Sequence, residues 1–188
     1  MTDPSAEHAP SLERFRNYLY LLARLQCQRR LQAKVDASDI VQQTMVQALG
    51  GLGAFRGRSE AEMAAWLRQI LAKHLASVAR DLGREKRDVA RERSLEAALD
   101  QSASRLEVWL AAGDSSPSQK AARSEQVLRL ADAMAGLPEA QREAITLHHL
   151  QNRTLREIGD QQGRTEAAVA GLIKRGLRTL RGRLSEVE

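Results

Sequence analysis

Residues 154–184 read TLREIGDQQGRTEAAVAGLIKRGLRTLRGRL, two helix starts separated by one glycine and followed by a basic exit. Thr154 and Glu157 have the S/T-x-x-E spacing of a capping box, in which hydroxyl and carboxylate each satisfy an orphan backbone N–H. A helix therefore starts at Thr154. Leu155, Ile158 and Gly159 fall on one face, and Gly163 can take the positive φ that ends a helix. Thr165 then caps a second helix, on which Val169, Leu172, Ile173, Gly176, Leu177 and Leu180 recur at helical spacing. The pattern is a helix-turn-helix. Gln162 stands where the first helix of such a pair often carries an aliphatic side chain.

The opposite face of the second helix carries Arg164, Thr165, Glu166, Ala167, Ala170, Gly171, Lys174, Arg175 and Arg178. Its small residues permit close approach to a groove. Arg164, Lys174, Arg175, Arg178, Arg181 and Arg183 face Glu166 as the lone acidic residue of that stretch. Such a stripe suits phosphate contact, although a charge run can also be a plain solvated face. The coincidence of caps, turn glycine and core spacing favours DNA binding.

Working outward, the 188 residues allow one domain or two small ones, and 43% hydrophobic with 28% charged content is ordinary for a soluble chain. A net charge of +5, from 29 basic and 24 acidic residues, fits an anionic partner bound by pattern rather than by bulk charge. Cys27 is the single cysteine, so there is no intramolecular disulfide framework, and no Cys/His cluster signals zinc. A reducing cytoplasm is expected. No leader-like segment or membrane-length apolar run is seen, so neither secretion nor insertion is expected. With scattered prolines and no alternating β-branched runs, the fold class is all-α.

The chain begins with a helix from about Ser11, carrying Leu12, Phe15, Leu19, Leu22, Ala23 and Leu25, before a polar basic segment from Gln26 to Lys34. Cys27 reads as a packing residue. A second helix follows, capped by Ser38 or Asp39, with Ile40, Val41, Thr44, Met45, Ala48 and Leu49 as its apolar stripe. Its polar face shows Asp39, Gln42, Gln43 and Gln47. The stretch GGLGAFRGRS then places Phe55, Arg56 and Arg58 among glycines that include Gly57. Such a loop can hold an unpaired base, or it can be a connection anchored in the core by Phe55. Ser59 and Glu62 form another capping box, opening a long helix with Trp66, Leu67, Ile70, Leu71, Leu75 and Val78. The polar side of that helix includes Arg68, Gln69, Lys73, His74 and Ser77, and it runs through Arg80 into the mixed-charge segment ending at Arg93.

The segments KVDASDIVQQT and FRGRSEAEMAAWLRQIL and the basic end beyond them, within residues 35–87, resemble the second conserved domain of bacterial sigma-70 family factors of the extracytoplasmic-function group. LPEAQREAITLHHLQ from Leu137, followed by the helix-turn-helix, resembles that group's fourth domain. The resemblance implies two small helical domains: residues 11–93 for core polymerase and the minus-ten element, and 124–185 for the minus-thirty-five element. Residues 94–123 read as a flexible tether, with at most a short helix about Leu106–Leu110 started by a Ser104/Glu107 capping box. Trp109 in a tether suggests docking onto the protein's own domains or a partner.

By the same resemblance, Asp39, Gln42, Gln43 and Gln47 match the surface for the clamp helices of the largest polymerase subunit, with Gln43 replacing a commonly acidic residue. The resemblance also implies contact with the flap region. Phe55, Arg56, Gly57, Arg58, Arg68, Lys73, His74 and Arg80 would face the minus-ten element. Arg164, Thr165, Glu166, Ala167, Ala170, Gly171, Lys174, Arg175 and Arg178 would read the minus-thirty-five element. An anti-sigma protein is a further candidate partner. With aromatics at 3% of the chain, melting would rely on a small pocket for about one flipped base. The rival reading is a two-domain helix-turn-helix regulator that binds duplex DNA without polymerase. No nucleophile, carboxylate pair, metal cluster or cofactor motif points to an enzyme.

Overall fold

The computed structural model describes residues 11–27, 36–81, 89–111 and 120–185. Among these there is no strand: a 3₁₀ turn at Leu12–Phe15 leads into α1 (Arg16–Gln26), followed by α2 (Ala37–Gly51), α3 (Glu60–Asp81), α4 (Val89–Ala111), α5 (Lys120–Ala135), α6 (Glu139–Ile145), α7 (Leu155–Gln162) and α8 (Glu166–Ser185). The all-α architecture read from the sequence is the one observed. The cationic residues Arg84, Lys86 and Arg87, and the Gly113–Ser118 part of the expected tether, lie outside the described residues.

Local chemistry sets the helix starts. The side chain of Asp36 accepts a hydrogen bond from the Ser38 amide at 2.8 Å, so α2 is capped two residues before the earliest cap expected from the sequence. Both capping boxes at α3 and α7 form. Glu62 accepts from the Ser59 amide at 3.0 Å while Ser59 Oγ accepts from the Glu62 amide at 3.2 Å, and Thr154 and Glu157 repeat the exchange at 2.8 and 3.2 Å. The Ser104/Glu107 pair starts nothing, because it lies inside α4.

α1 packs against α2, α3, α4 and α5, and is buried on most of its circumference through Tyr18, Leu19, Leu21, Leu22, Ala23 and Leu25. A helix that is apolar nearly all round belongs in a core. α4 corrects the tether expectation over residues 94–111. Leu95, Leu99, Ala103 and Leu106 form a buried stripe at helical spacing, and α4 packs along α3. Gln26 of α1 donates to Ser102 Oγ of α4 at 3.4 Å inside this contact. Leu49, expected in the stripe of α2, is instead 68% exposed.

In the C-terminal helices, α6 packs on α8 and runs on as a π-helical turn, Thr146–Leu150. A Cβ on Gly176 would stand 2.6 Å from Ile145 Cδ1, so glycine is what lets α8 lie this close to α6. Asn152, at φ 55°, turns the chain toward α7, a conformation Asn tolerates better than most residues.

Candidate nucleic-acid interface

The helix-turn-helix is built by α7, Gly163 and α8. Gly163 adopts φ 63°, and the Arg164 amide donates to Gly159 O at 2.9 Å, closing the turn. A Cβ on Gly159 would stand 2.6 Å from Arg164 O, so the turn can fold onto α7 only where that helix has no side chain. Thr165 Oγ1 then accepts from the Ala168 amide at 3.2 Å and caps α8. Val169, Leu172, Ile173, Gly176 and Leu180 turn inward.

Arg164, Thr165, Glu166, Ala167, Lys174, Arg175 and Arg178 are exposed, and Ala170 and Gly171 are half-buried. At 100° per residue, Ala167, Gly171, Lys174 and Arg178 fall within an arc of about 60°, opposite the buried stripe. Among the described residues no carboxylate pairs with Arg164, Lys174, Arg175 or Arg178. Arg183 is used otherwise: its guanidinium donates to Ala133 O at 3.0 Å and satisfies the C-terminus of α5. A cleft of about 530 Å³ runs beside α8, with Leu155, Ile173 and Leu177 in its wall and His148, Lys174, Arg178 and Arg181 contributing polar groups.

The N-terminal helices offer a second exposed surface. Asp39, Gln42, Gln43 and Gln47 all face outward from α2. Between them stands Val46, 67% exposed, and beside them, two turns beyond Gln42, lies Leu49, which the sequence reading did not place there. Val46 lies seven residues after Asp39 and four after Gln42, and that spacing alone could have found it.

The glycine loop resolves in favour of anchoring. Phe55 is half-buried and packs on Trp66, with ring centroids 5.0 Å apart and planes tilted by 33°. Its ring covers Gly57 so closely that any Cβ there would overlap it. Arg56 folds back and donates to Gly53 O at 2.8 Å. The side chains of Arg58, Lys73 and Arg80 remain exposed. His74 is half-buried, its Nε2 meets no partner among the described residues, and burial holds its pKa below the usual histidine value.

Arg68, expected to face the minus-ten element, is bonded within the fold. Its Nε donates to Asp100 of α4 at 2.7 Å and its Nη1 to Tyr18 Oη of α1 at 2.9 Å. Burial works to lower its pKa, but Tyr18 and Asp100 outweigh that and hold it raised. The guanidinium therefore ties three helices together. The missed signal was Asp100, which the tether reading left without a structural place.

Residues 128–180, from α5 to near the end of α8, match the family described as sigma-70, region 4. The match covers 53 of the 188 residues, all of them in the C-terminal helices. That family is a DNA-binding transcription-factor domain, and the exposed cations of α8 lie inside the matched stretch. No enzymatic activity goes with region 4. Among the described residues no helix is long and apolar enough to cross a membrane.

Proposed function

We propose that this chain is a sigma factor of the extracytoplasmic-function group, a cytoplasmic initiation factor that binds core RNA polymerase and directs it to specific promoters. The observation that carries the reading is the region 4 helix-turn-helix, whose uncompensated cationic face lies opposite its core, preceded in one chain by a separate helical surface of mixed polar and apolar character on α2. Phosphate contacts from Arg164, Lys174, Arg175 and Arg178 would set register, and Thr165, Glu166, Ala167, Ala170 and Gly171 would approach base edges. Asp39, Gln42, Gln43 and Gln47, with Val46 between them and Leu49 at their edge, suit a mixed polar and apolar interface for the clamp helices. The cleft beside α8, apolar in its wall and basic around it, suits the flap region. Arg58, Lys73 and Arg80 supply cations toward the minus-ten element, near the loop of Phe55, Arg56 and Gly57 and the half-buried His74. An anti-sigma protein would have to cover one of these two polymerase-facing surfaces.

The purified chain, mixed with core polymerase and genomic DNA fragments, should give discrete transcript starts that polymerase alone does not give. Duplex binding without association with polymerase would instead identify a regulator acting outside the polymerase.

A further inference from the structure

The exposed side of α8 changes character along its length. At 100° per residue, Ala167, Gly171 and Arg178 lie within about 25° of the line opposite the buried stripe of Val169, Leu172, Ile173, Gly176 and Leu180, and Lys174 lies about 35° from it. The cations on that line therefore belong to the later turns, while the first two turns present one methyl group and bare backbone. Hydrogen-bonding groups beside them are few. Thr165 Oγ1 is engaged in the cap, where it accepts from the Ala168 amide at 3.2 Å. Glu166 is exposed and pairs with no cation among the described residues.

Helix stability does not explain Gly171. Glycine inside a helix is less stable than alanine, and packing within the fold does not demand it here. A Cβ at 171 would meet only the guanidinium end of Arg175, 3.2 Å from Nη1, a flexible group that can yield. A bare backbone on an exposed face instead suits the close approach of a second molecule. The match to region 4 and the unpaired cations on the same face make that molecule a duplex.

We propose that Ala167 reads the C5-methyl group of a pyrimidine in the major groove, in thymine or 5-methylcytosine, and that Gly171 lets α8 come close enough to do so. The inference rests on the reading of α8 as the duplex-binding helix and requires no contact with polymerase. Chemistry leaves Ala167 one thing to detect. A methyl side chain neither donates nor accepts, so the amino, carbonyl and ring-nitrogen groups of the base edges give it nothing to bond, whereas the C5-methyl is an apolar partner. One turn further on, with no side chain at 171, nothing but the backbone cylinder, about 2.3 Å in radius at Cα, separates the helix axis from the groove floor. Burying one methyl group corresponds to about a three- to fourfold change in affinity. Lys174, Arg175 and Arg178, at phosphates, raise affinity for every sequence alike and leave this discrimination untouched.

The full chain first selects its own probe, the tightest duplex recovered from a randomised pool, and affinities are then read by fluorescence anisotropy at fixed salt. Each thymine of that duplex is replaced singly by deoxyuridine, which removes the methyl and keeps every hydrogen-bonding group. One such replacement should weaken binding about three- to fourfold. At the same position, cytosine should bind about three- to fourfold more weakly than 5-methylcytosine, which separates the methyl from the thymine carbonyl. Ala167→Gly should bring both ratios to about one. Gly171→Leu, a better helix former that holds α8 off the groove, should lower affinity for all the duplexes and erase the ratios as well. Lys174→Ala should weaken all of them and keep the ratios. The base replacements use unmodified protein, so they decide the matter even if the Ala167 variant loses helical circular dichroism. Deoxyuridine without effect at every thymine overturns the proposal while duplex binding stands, and so does a methyl effect that survives Gly171→Leu, which would assign it to DNA shape. A pool from which no duplex is enriched strikes the DNA-binding reading itself, and the proposal with it.

Discussion

Gln162 offers the sharpest test of how the helix-turn-helix is held together. Both polar atoms of its amide, Oε1 and Nε2, are buried and have no partner among the described residues, although the residue as a whole is only half-buried. A buried polar group without a hydrogen bond costs roughly 1–3 kcal/mol, because desolvation is not offset. Leucine at the same place has similar length and similar helix propensity, and it removes both polar atoms. Allowing for the partial exposure, Gln162→Leu should stabilise the protein by about 1–2 kcal/mol. For a chain of this size each kcal/mol moves the midpoint by about 2–4 °C, so Tm should rise by about 2–8 °C. Thermal unfolding followed by circular dichroism at fixed pH and concentration measures it. Duplex affinity should not change, because both polar atoms of the Gln162 side chain are buried and neither is offered to a phosphate. An unchanged or lower Tm would refute the reasoning, since it would mean that the amide is hydrogen-bonded in solution, to water or to a neighbour.

Arg68→Ala should lower stability by about 1–2 kcal/mol through loss of the bonds to Tyr18 and Asp100, measured by urea unfolding, and a variant that instead weakened promoter binding at unchanged stability would return Arg68 to the DNA face. Lys174→Ala and Arg178→Ala should each weaken binding to all upstream duplexes alike and reduce the slope of log affinity against log salt by about 0.9; intact binding in both would displace the groove face. Thr154→Ala removes the cap of α7 and should cost about 1 kcal/mol in chemical unfolding. Burial pushes the Cys27 thiol from 9.0 up to about 11, so at pH 8 alkylation of the native protein should be at least about a hundredfold slower than in urea. Because folding favours the neutral thiol, the sign for stability follows: no effect well below pH 9, and a loss that grows as pH rises from about 9 toward 11.

Much of the helix-turn-helix was legible because its information is local. A capping box, a glycine at φ 63° and a stripe from Val169 to Leu180 each act within a few residues, and each is where the sequence places it. The glycines at 159 and 176 were visible only as members of the face; that one meets the turn and the other Ile145 depends on tertiary contact. α4 was missed for a different reason. Its Ser, Gln and Asp content reads as a linker, yet Leu95, Leu99, Ala103 and Leu106 keep helical spacing through it, and the period rather than the composition decides the structure. Arg68 and Asp100 followed from that error, because a cation on a helix beside an assigned tether has no visible partner. Leu49 shows the opposite limit: its position fits the apolar stripe of α2, and only the end of the neighbouring surface decides that it stays in solvent.

The anchoring of Phe55 bears on how an unpaired base could be captured. A ring that covers Gly57 and packs on Trp66 cannot also lie flat against a base without leaving the core edge. The loop's contribution then rests on its shape: Arg56 bonded back to Gly53, Glu62 holding the amides of Arg58 and Ser59, and the Arg58 side chain exposed at the rim. We expect Phe55→Ala to act by loosening this frame, so Phe55→Leu, which refills the space without an aromatic face, should restore the melted-base pattern seen by permanganate footprinting of open complexes. If the leucine variant fails as fully as alanine while unfolding at the same temperature as the parent, the ring itself stacks on the base. The anchored conformation would then be the state before capture, and Trp66 the surface it leaves.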